Sequence, residues 1–165
     1  VNPPLRTRKD VQALIEGLRD GVIDAIATDH APHTLVDKLM EFDATPPGIS
    51  GLETALGALL GLVHEGKIDL VTLISKLTTG PAGVIRQPLG SLAVGRPADV
   101  VLFDPTREWV VDPTAFTSKG KNTPLAGATL RGRVMATLSQ GVLAYRDEAV
   151  VLSAAGPVEA PRLRG

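Results

Sequence analysis

The sequence contains no cysteine, one tryptophan, one tyrosine and three phenylalanines. Without cysteine, disulfides and thiolate metal sites are excluded, and the composition fits a reducing compartment, so the cytoplasm is the expected location. Charge of one sign is not in excess either. Seventeen Lys and Arg face eighteen Asp and Glu, for a net charge of −1. That balance gives no electrostatic case for nucleic acid or an anionic membrane surface. No window approaches the roughly 18 uninterrupted apolar residues of a spanning helix, and no basic-then-apolar leader opens the chain. What is plentiful is punctuation: 17 glycines and 13 prolines in 165 residues, which indicates many tight loops rather than long helices. An apolar content of 44% suffices for a core in one ordinary domain or two small ones. The chain opens on Val1-Asn2-Pro3-Pro4 without methionine and reads as the interior of a longer protein.

Local patterns divide the chain in two. Thr7 with Asp10 three residues later forms a capping-box signature. Val11, Leu14, Ile15 and Leu18 then recur at helical spacing up to a stop at Gly21. An apolar run from Val22 to Ala27 predicts a strand, and the proline-rich stretch from Asp29 to about Ser50 predicts a loop. A strongly apolar helix is expected from Gly51-Leu52-Glu53-Thr54 through Val63, another capped by Asp69, and a short one with Pro81 in its first turn. From about Gly90 the texture becomes β-rich, with candidate strands at Ser91–Val94, Asp99–Phe103, Trp109–Val111, Thr129–Thr137 and Val142–Tyr145. The expected layout is therefore residues 1–88 as strand–helix units, 89–152 as a β-sandwich-like module, and 153–165 as a poorly ordered tail.

The chemistry concentrates at Ala27-Thr28-Asp29-His30-Ala31-Pro32-His33, with Lys38 five residues on. Two of the three histidines and a carboxylate follow directly on the apolar run. A buried parallel strand delivers catalytic groups to the C-terminal rim of an α/β barrel in this way. A complete eight-fold barrel takes roughly 250 residues, so at most two strand–helix units fit before the β-rich part. The chain would then be a piece docked on a further half, or not a barrel.

These residues resemble the dihydroorotases of the metal-dependent amidohydrolase superfamily. Val1 to Arg6 looks like the family's segment after the seventh barrel strand, and Ala27 to Lys38 resembles its signature around the eighth-strand aspartate. Pro46-Pro47-Gly48-Ile49-Ser50-Gly51-Leu52-Glu53-Thr54 is similar to the loop that closes over substrate, and Leu92 to Asp104 to the C-terminal β module. Ser118-Lys119-Gly120-Lys121-Asn122-Thr123-Pro124 also resembles the family. The fold class the resemblance implies is α/β: the C-terminal part of a TIM-type (β/α)8 metal-dependent hydrolase barrel, followed by the small β-sandwich-like module.

The activity so implied is the zinc-dependent, reversible interconversion of N-carbamoyl-L-aspartate and dihydroorotate in de novo pyrimidine biosynthesis. Ring opening needs an activated water, a polarised carbonyl and a proton for the departing nitrogen. The resemblance assigns the proton transfer to Asp29, which in this family also contacts the metal; the plain alternative is a turn aspartate after a strand. It places Asn2 and His33 on the substrate, with Pro47 and Gly48 in the closing loop. Where many family members carry phenylalanine this chain has Pro47, which has no N–H and can offer only its carbonyl or its packing surface. His30 occupies a variable position of the signature and reads as structural, and His64, at the end of an apolar helix, suits the helix dipole. Lys38 and Arg6 read as loop braces or as ordinary solvated charges.

The family's zinc site also needs a His-x-His pair, two further histidines and a modified lysine or aspartate, none of which this sequence contains. Zn2+ would thus depend on ligands in an N-terminal half, and the isolated chain is expected to be inactive. Expected partners are the small-molecule substrate, that N-terminal half, and a homo-oligomer or an aspartate transcarbamoylase complex, with no nucleic acid and no membrane. Two rivals remain: another cyclic-amide hydrolase of the hydantoinase, dihydropyrimidinase or allantoinase type, and a non-catalytic dihydroorotase-like subunit that scaffolds aspartate transcarbamoylase.

Overall fold

The computed structural model describes residues 1–151. The expected tail at 153–165 lies outside the described residues, as does residue 152 at the end of the expected β module. Helix α1 (Arg8–Arg19) opens on the expected reciprocal cap. The Thr7 hydroxyl accepts from the Asp10 N–H at 3.3 Å, and the Asp10 carboxylate accepts from the Thr7 N–H at 3.0 Å. Of its apolar face, Ile15 and Leu18 are buried, whereas Val11 and Leu14 are exposed.

The run Val22–Ala27 forms no strand and bends at Ile23, contrary to the expectation from its composition. A strand is defined by a neighbour that takes its N–H and C=O groups, and none lies beside this run among the described residues. Instead the Ile26 N–H donates to the Lys76 carbonyl at 2.9 Å, and one parallel bridge joins His30 to Ile49 just beyond the run. The one-turn helix α2 (Leu35–Lys38) interrupts the expected loop, capped by Thr34 and Asp37. Helices α3 (Ala55–His64), α4 (Leu70–Leu77) and α5 (Thr79–Val84) follow, α4 with the expected Asp69 cap accepting from the Thr72 N–H at 2.9 Å.

Three antiparallel strands, β1 (Val100–Val110), β2 (Thr129–Ser139) and β3 (Val142–Arg146), form one sheet in that order. This corrects two expectations. Ser91–Val94 is not a strand, and the sheet faces α3 rather than a second sheet, so no sandwich forms among the described residues. The separate strands expected at Asp99–Phe103 and Trp109–Val111 merge, apart from Asp99 and Val111, into the single strand β1, which runs through Pro105. A register shift between Asp104 and Glu108 makes this possible. The Asp104 carboxylate collects the Thr106 and Arg107 N–H groups at 2.8 and 3.2 Å, so the chain bulges where proline could not donate to a ladder.

The core is a cluster of Ile15, Leu60, Ile68 and Leu73, with Phe103 of the sheet packed against it. Helix α3 approaches β2 closely because both surfaces carry glycine. A Cβ at Gly57 would lie 3.0 Å from the Gly132 carbonyl, and one at Gly132 (φ +113°) would collide with Leu60. No helix among the described residues is long and apolar enough to cross a membrane.

Candidate active site

Three loops meet just beyond the run Val22–Ala27: residues 29–34, 46–51 and 117–123. Asp29 turns the chain with φ +46°, a left-handed conformation that aspartate tolerates better than most side chains. The next residue, His30, faces inward. Its Nδ1 accepts the Gly51 and Leu52 N–H groups at 3.1 and 3.3 Å, which places the proton of the neutral ring on Nε2, 3.4 Å from the Ser118 hydroxyl. The Ala31 N–H donates to the Ile49 carbonyl at 2.9 Å, so both sides of this ring are tied down.

His33 is held at both its backbone and its ring. Its N–H donates to Asn122 Oδ1 at 2.9 Å, and its Nε2 donates to the Pro47 carbonyl at 3.0 Å. Pro47 thus acts through its carbonyl. Gly48 has φ +141°, and a Cβ there would lie 2.8 Å from the Ala31 carbonyl and 2.9 Å from His33 Nε2; only glycine fits so close an approach. The Gly48 carbonyl accepts from Asn122 Nδ2 at 3.0 Å, and Lys38 Nζ braces the Pro46 carbonyl at 2.6 Å.

The structure therefore joins His33, Pro47 and Gly48, which the sequence singled out, through residues it did not. Ser50 is fully buried, its N–H on the Asn122 carbonyl at 2.9 Å and its hydroxyl on the Gly120 carbonyl at 2.7 Å. Glu53 accepts the Ser118 N–H at 2.8 Å. Burial acts to raise the Glu53 pKa, but hydrogen bonds from Ser118 and the nearby His30 outweigh it, and the carboxyl lies below its usual range. The one signal that could have pointed to Asn122 is the run Ser118–Pro124, since its partners lie up to 89 residues away.

The Asp29 carboxylate is exposed and makes no hydrogen bond among the described residues, which leaves both oxygens free for a substrate, a water or a metal. Asn2 is also exposed and is not hydrogen-bonded to the three loops. Among the described residues no group of three or more His, Cys, Asp or Glu is placed to hold a metal ion. Three or four ligands are the norm for a protein zinc site, so these residues do not make one by themselves.

Comparison with known proteins gives consistent relatives. Residues 2–144 match the amidohydrolase family. A dihydroorotase of Syntrophus aciditrophicus is 51% identical over 148 residues, covering 90% of this chain and 35% of the relative. The chain thus spans about a third of the length of the curated relatives it matches. Among solved structures, the L-hydantoinase (dihydropyrimidinase) of Arthrobacter aurescens superposes with TM-score 0.82 at 30% identity, over 92% of this chain and 35% of that one. The inactive dihydroorotase-like domain of a Chaetomium thermophilum CAD-like multifunctional protein superposes with TM-score 0.62 at 26% identity, over 87% and 38%.

Proposed function

The chain belongs to the amidohydrolase family, and on that premise we propose that it forms part of a dihydroorotase, which interconverts N-carbamoyl-L-aspartate and dihydroorotate in pyrimidine biosynthesis. In this reading residues 1–88 supply the last strand–helix units of a (β/α)8 barrel and residues 89–152 the module that follows. The metal is Zn2+, with Asp29 as this chain's ligand and the others contributed from outside the described residues; bound there, it would supply a Lewis acid and an activated water. The working compartment is the cytoplasm, and the partners are the substrate, the remainder of the barrel, and a further copy or an aspartate transcarbamoylase.

The observation that carries this reading is a free Asp29 carboxylate four residues from the hydrogen-bonded cluster of His33, Pro47 and Gly48, in a chain half identical to dihydroorotases. In ring opening, Asp29 accepts the proton of the attacking water and returns it to the ring nitrogen as the amide bond breaks; in ring closure the transfers reverse. His33 and Asn2 hold the substrate carboxylate, because an anion buried without donors is costly. With its Nε2–H given to Pro47, His33 has Nδ1 left to face the substrate. The Gly48 N–H is the donor of the closing loop that Pro47 cannot be.

A hydantoinase-type activity has the support of shape, but identity with the dihydroorotase relative is higher, 51% against 30%. The scaffold reading has one observation in its favour: an inactive dihydroorotase-like domain shares this shape, so shape alone does not separate the two. The test is Asp29→Asn in the full-length protein, followed by the absorbance change of dihydroorotate. Turnover should fall by about a thousandfold or more, with unchanged circular dichroism. Full activity in that variant removes Asp29 from the mechanism, and an inactive wild type, loaded with zinc, establishes the scaffold.

A further inference from the structure

We propose that Asn122 is a positioning residue that sets substrate affinity at this site. The inference rests on the reading above, in which His33 and Gly48 touch substrate. Asn122 sits in the segment that links β1 to β2, yet its side chain is bonded to both of the other loops. Its Oδ1 accepts the His33 N–H at 2.9 Å and lies 3.2 Å from the Ser50 hydroxyl, and its Nδ2 donates to the Gly48 carbonyl at 3.0 Å. A single planar amide therefore fixes His33 and Gly48 relative to each other, and a carboxamide alone offers both the acceptor and the donor this needs. The backbone reinforces it. The Asn122 carbonyl holds the Ser50 N–H at 2.9 Å, and Gly120 leaves no room for a Cβ against Pro32. None of these bonds reaches Asp29, so the device acts on binding and leaves proton transfer alone.

Two variants of the full-length protein separate the two bonds. Asn122→Ala removes both; Asn122→Asp keeps an acceptor for the His33 N–H but sets a carboxylate oxygen against the Gly48 carbonyl. Both should raise the KM for dihydroorotate by about tenfold while kcat stays within about twofold, the split expected when binding contacts are lost. Hydrogen exchange at the His33 amide should accelerate in Asn122→Ala and remain slow in Asn122→Asp. A fall in kcat at unchanged KM, the mark of a smaller folded fraction, overturns the proposal, as does unchanged KM in both. If the wild type turns over no dihydroorotate, the functional reading fails and with it the claim on affinity. The exchange rate of the His33 amide in Asn122→Ala still decides the positioning: fast exchange upholds the bond as the clamp, and slow exchange overturns it.

Discussion

The face of α3 against β2 and the junction of the three loops are built on opposite physics. At the first, Leu60 is fully buried above Gly132, and contact is made by shape: a missing Cβ admits a leucine. Such contacts are weak singly and non-directional, and their strength comes from area and close fit. At the second, the buried side chain is Ser50, and the links are hydrogen bonds from side chains to backbone that span 70 to 89 residues of sequence. Each contributes about 1 kcal/mol to stability and specifies position within a few tenths of an ångström. The apolar seam makes the chain fold, and the polar junction decides where His33 and Gly48 stand once it has.

Three substitutions sharpen that contrast. Leu60→Ala should have the largest effect on stability, about 3 kcal/mol or more in denaturant unfolding, because a side chain with no exposure leaves a cavity. The loops should keep their hydrogen bonds in the molecules that remain folded.

Asp147 tests a third kind of contact, at the end of β3. It is buried, takes the Ala149 N–H at 2.9 Å, and lies 2.7 Å from Arg133 Nε and 3.6 Å from Arg107 Nη2, with the Arg133 contact made by charge rather than by an aligned hydrogen bond. The Ala149 N–H lowers its pKa first; burial opposes this, and the two arginines add to the lowering, so the folded value lies below the ordinary 3.8. A depressed carboxylate contributes stability that is fully present above the unfolded pKa and is lost as pH falls through the folded one. Asp147→Asn should therefore cost about 2 kcal/mol near neutrality, since a charge-assisted contact to half-exposed arginines is lost. It should also flatten the acid limb of the stability curve below about pH 4, as read from thermal unfolding over pH.

Ser50→Ala should be the mildest in stability, about 1 to 2 kcal/mol, from the Gly120 carbonyl left without its donor. Its hydrogen exchange should rise at residues 46–51 and 117–123 and not at α3. Uniform acceleration across the chain would show that seam and junction are one cooperative unit.

Local devices were legible in the sequence: the Thr7–Asp10 box and the Asp69 cap each depend on residues a few positions apart. The run Val22–Ala27 reads as a strand in the sequence but forms none, because composition reports that a segment suits a sheet and not whether a partner strand stands beside it. Pro105 misled for a related reason. Proline argues for a break, but the side chain of Asp104 satisfies the freed backbone and the strand continues. At the candidate site, Pro47's restriction to its carbonyl followed from its chemistry alone, and His30 as a structural ring followed from its place in the motif. The hub did not follow. Asn122 and Ser50 are ordinary polar residues whose role exists only in the folded junction, and no periodicity marks a bond across 70 residues.

The bulge at Pro105 has a consequence for how the molecule meets its own kind. Among the described residues strand β1 lies at an edge of the sheet and is 11 residues long, a length that would offer another chain a template for strand addition. Proline removes one donor from the middle of that edge, and the Asp104 side chain occupies two more. On the other side of the bend, the Pro105 carbonyl is taken by His64 Nε2 of α3 at 2.9 Å. The row of backbone groups along this strand is thus interrupted at the bulge, a guard against edge-to-edge aggregation written into the same residues that let the strand continue through a proline.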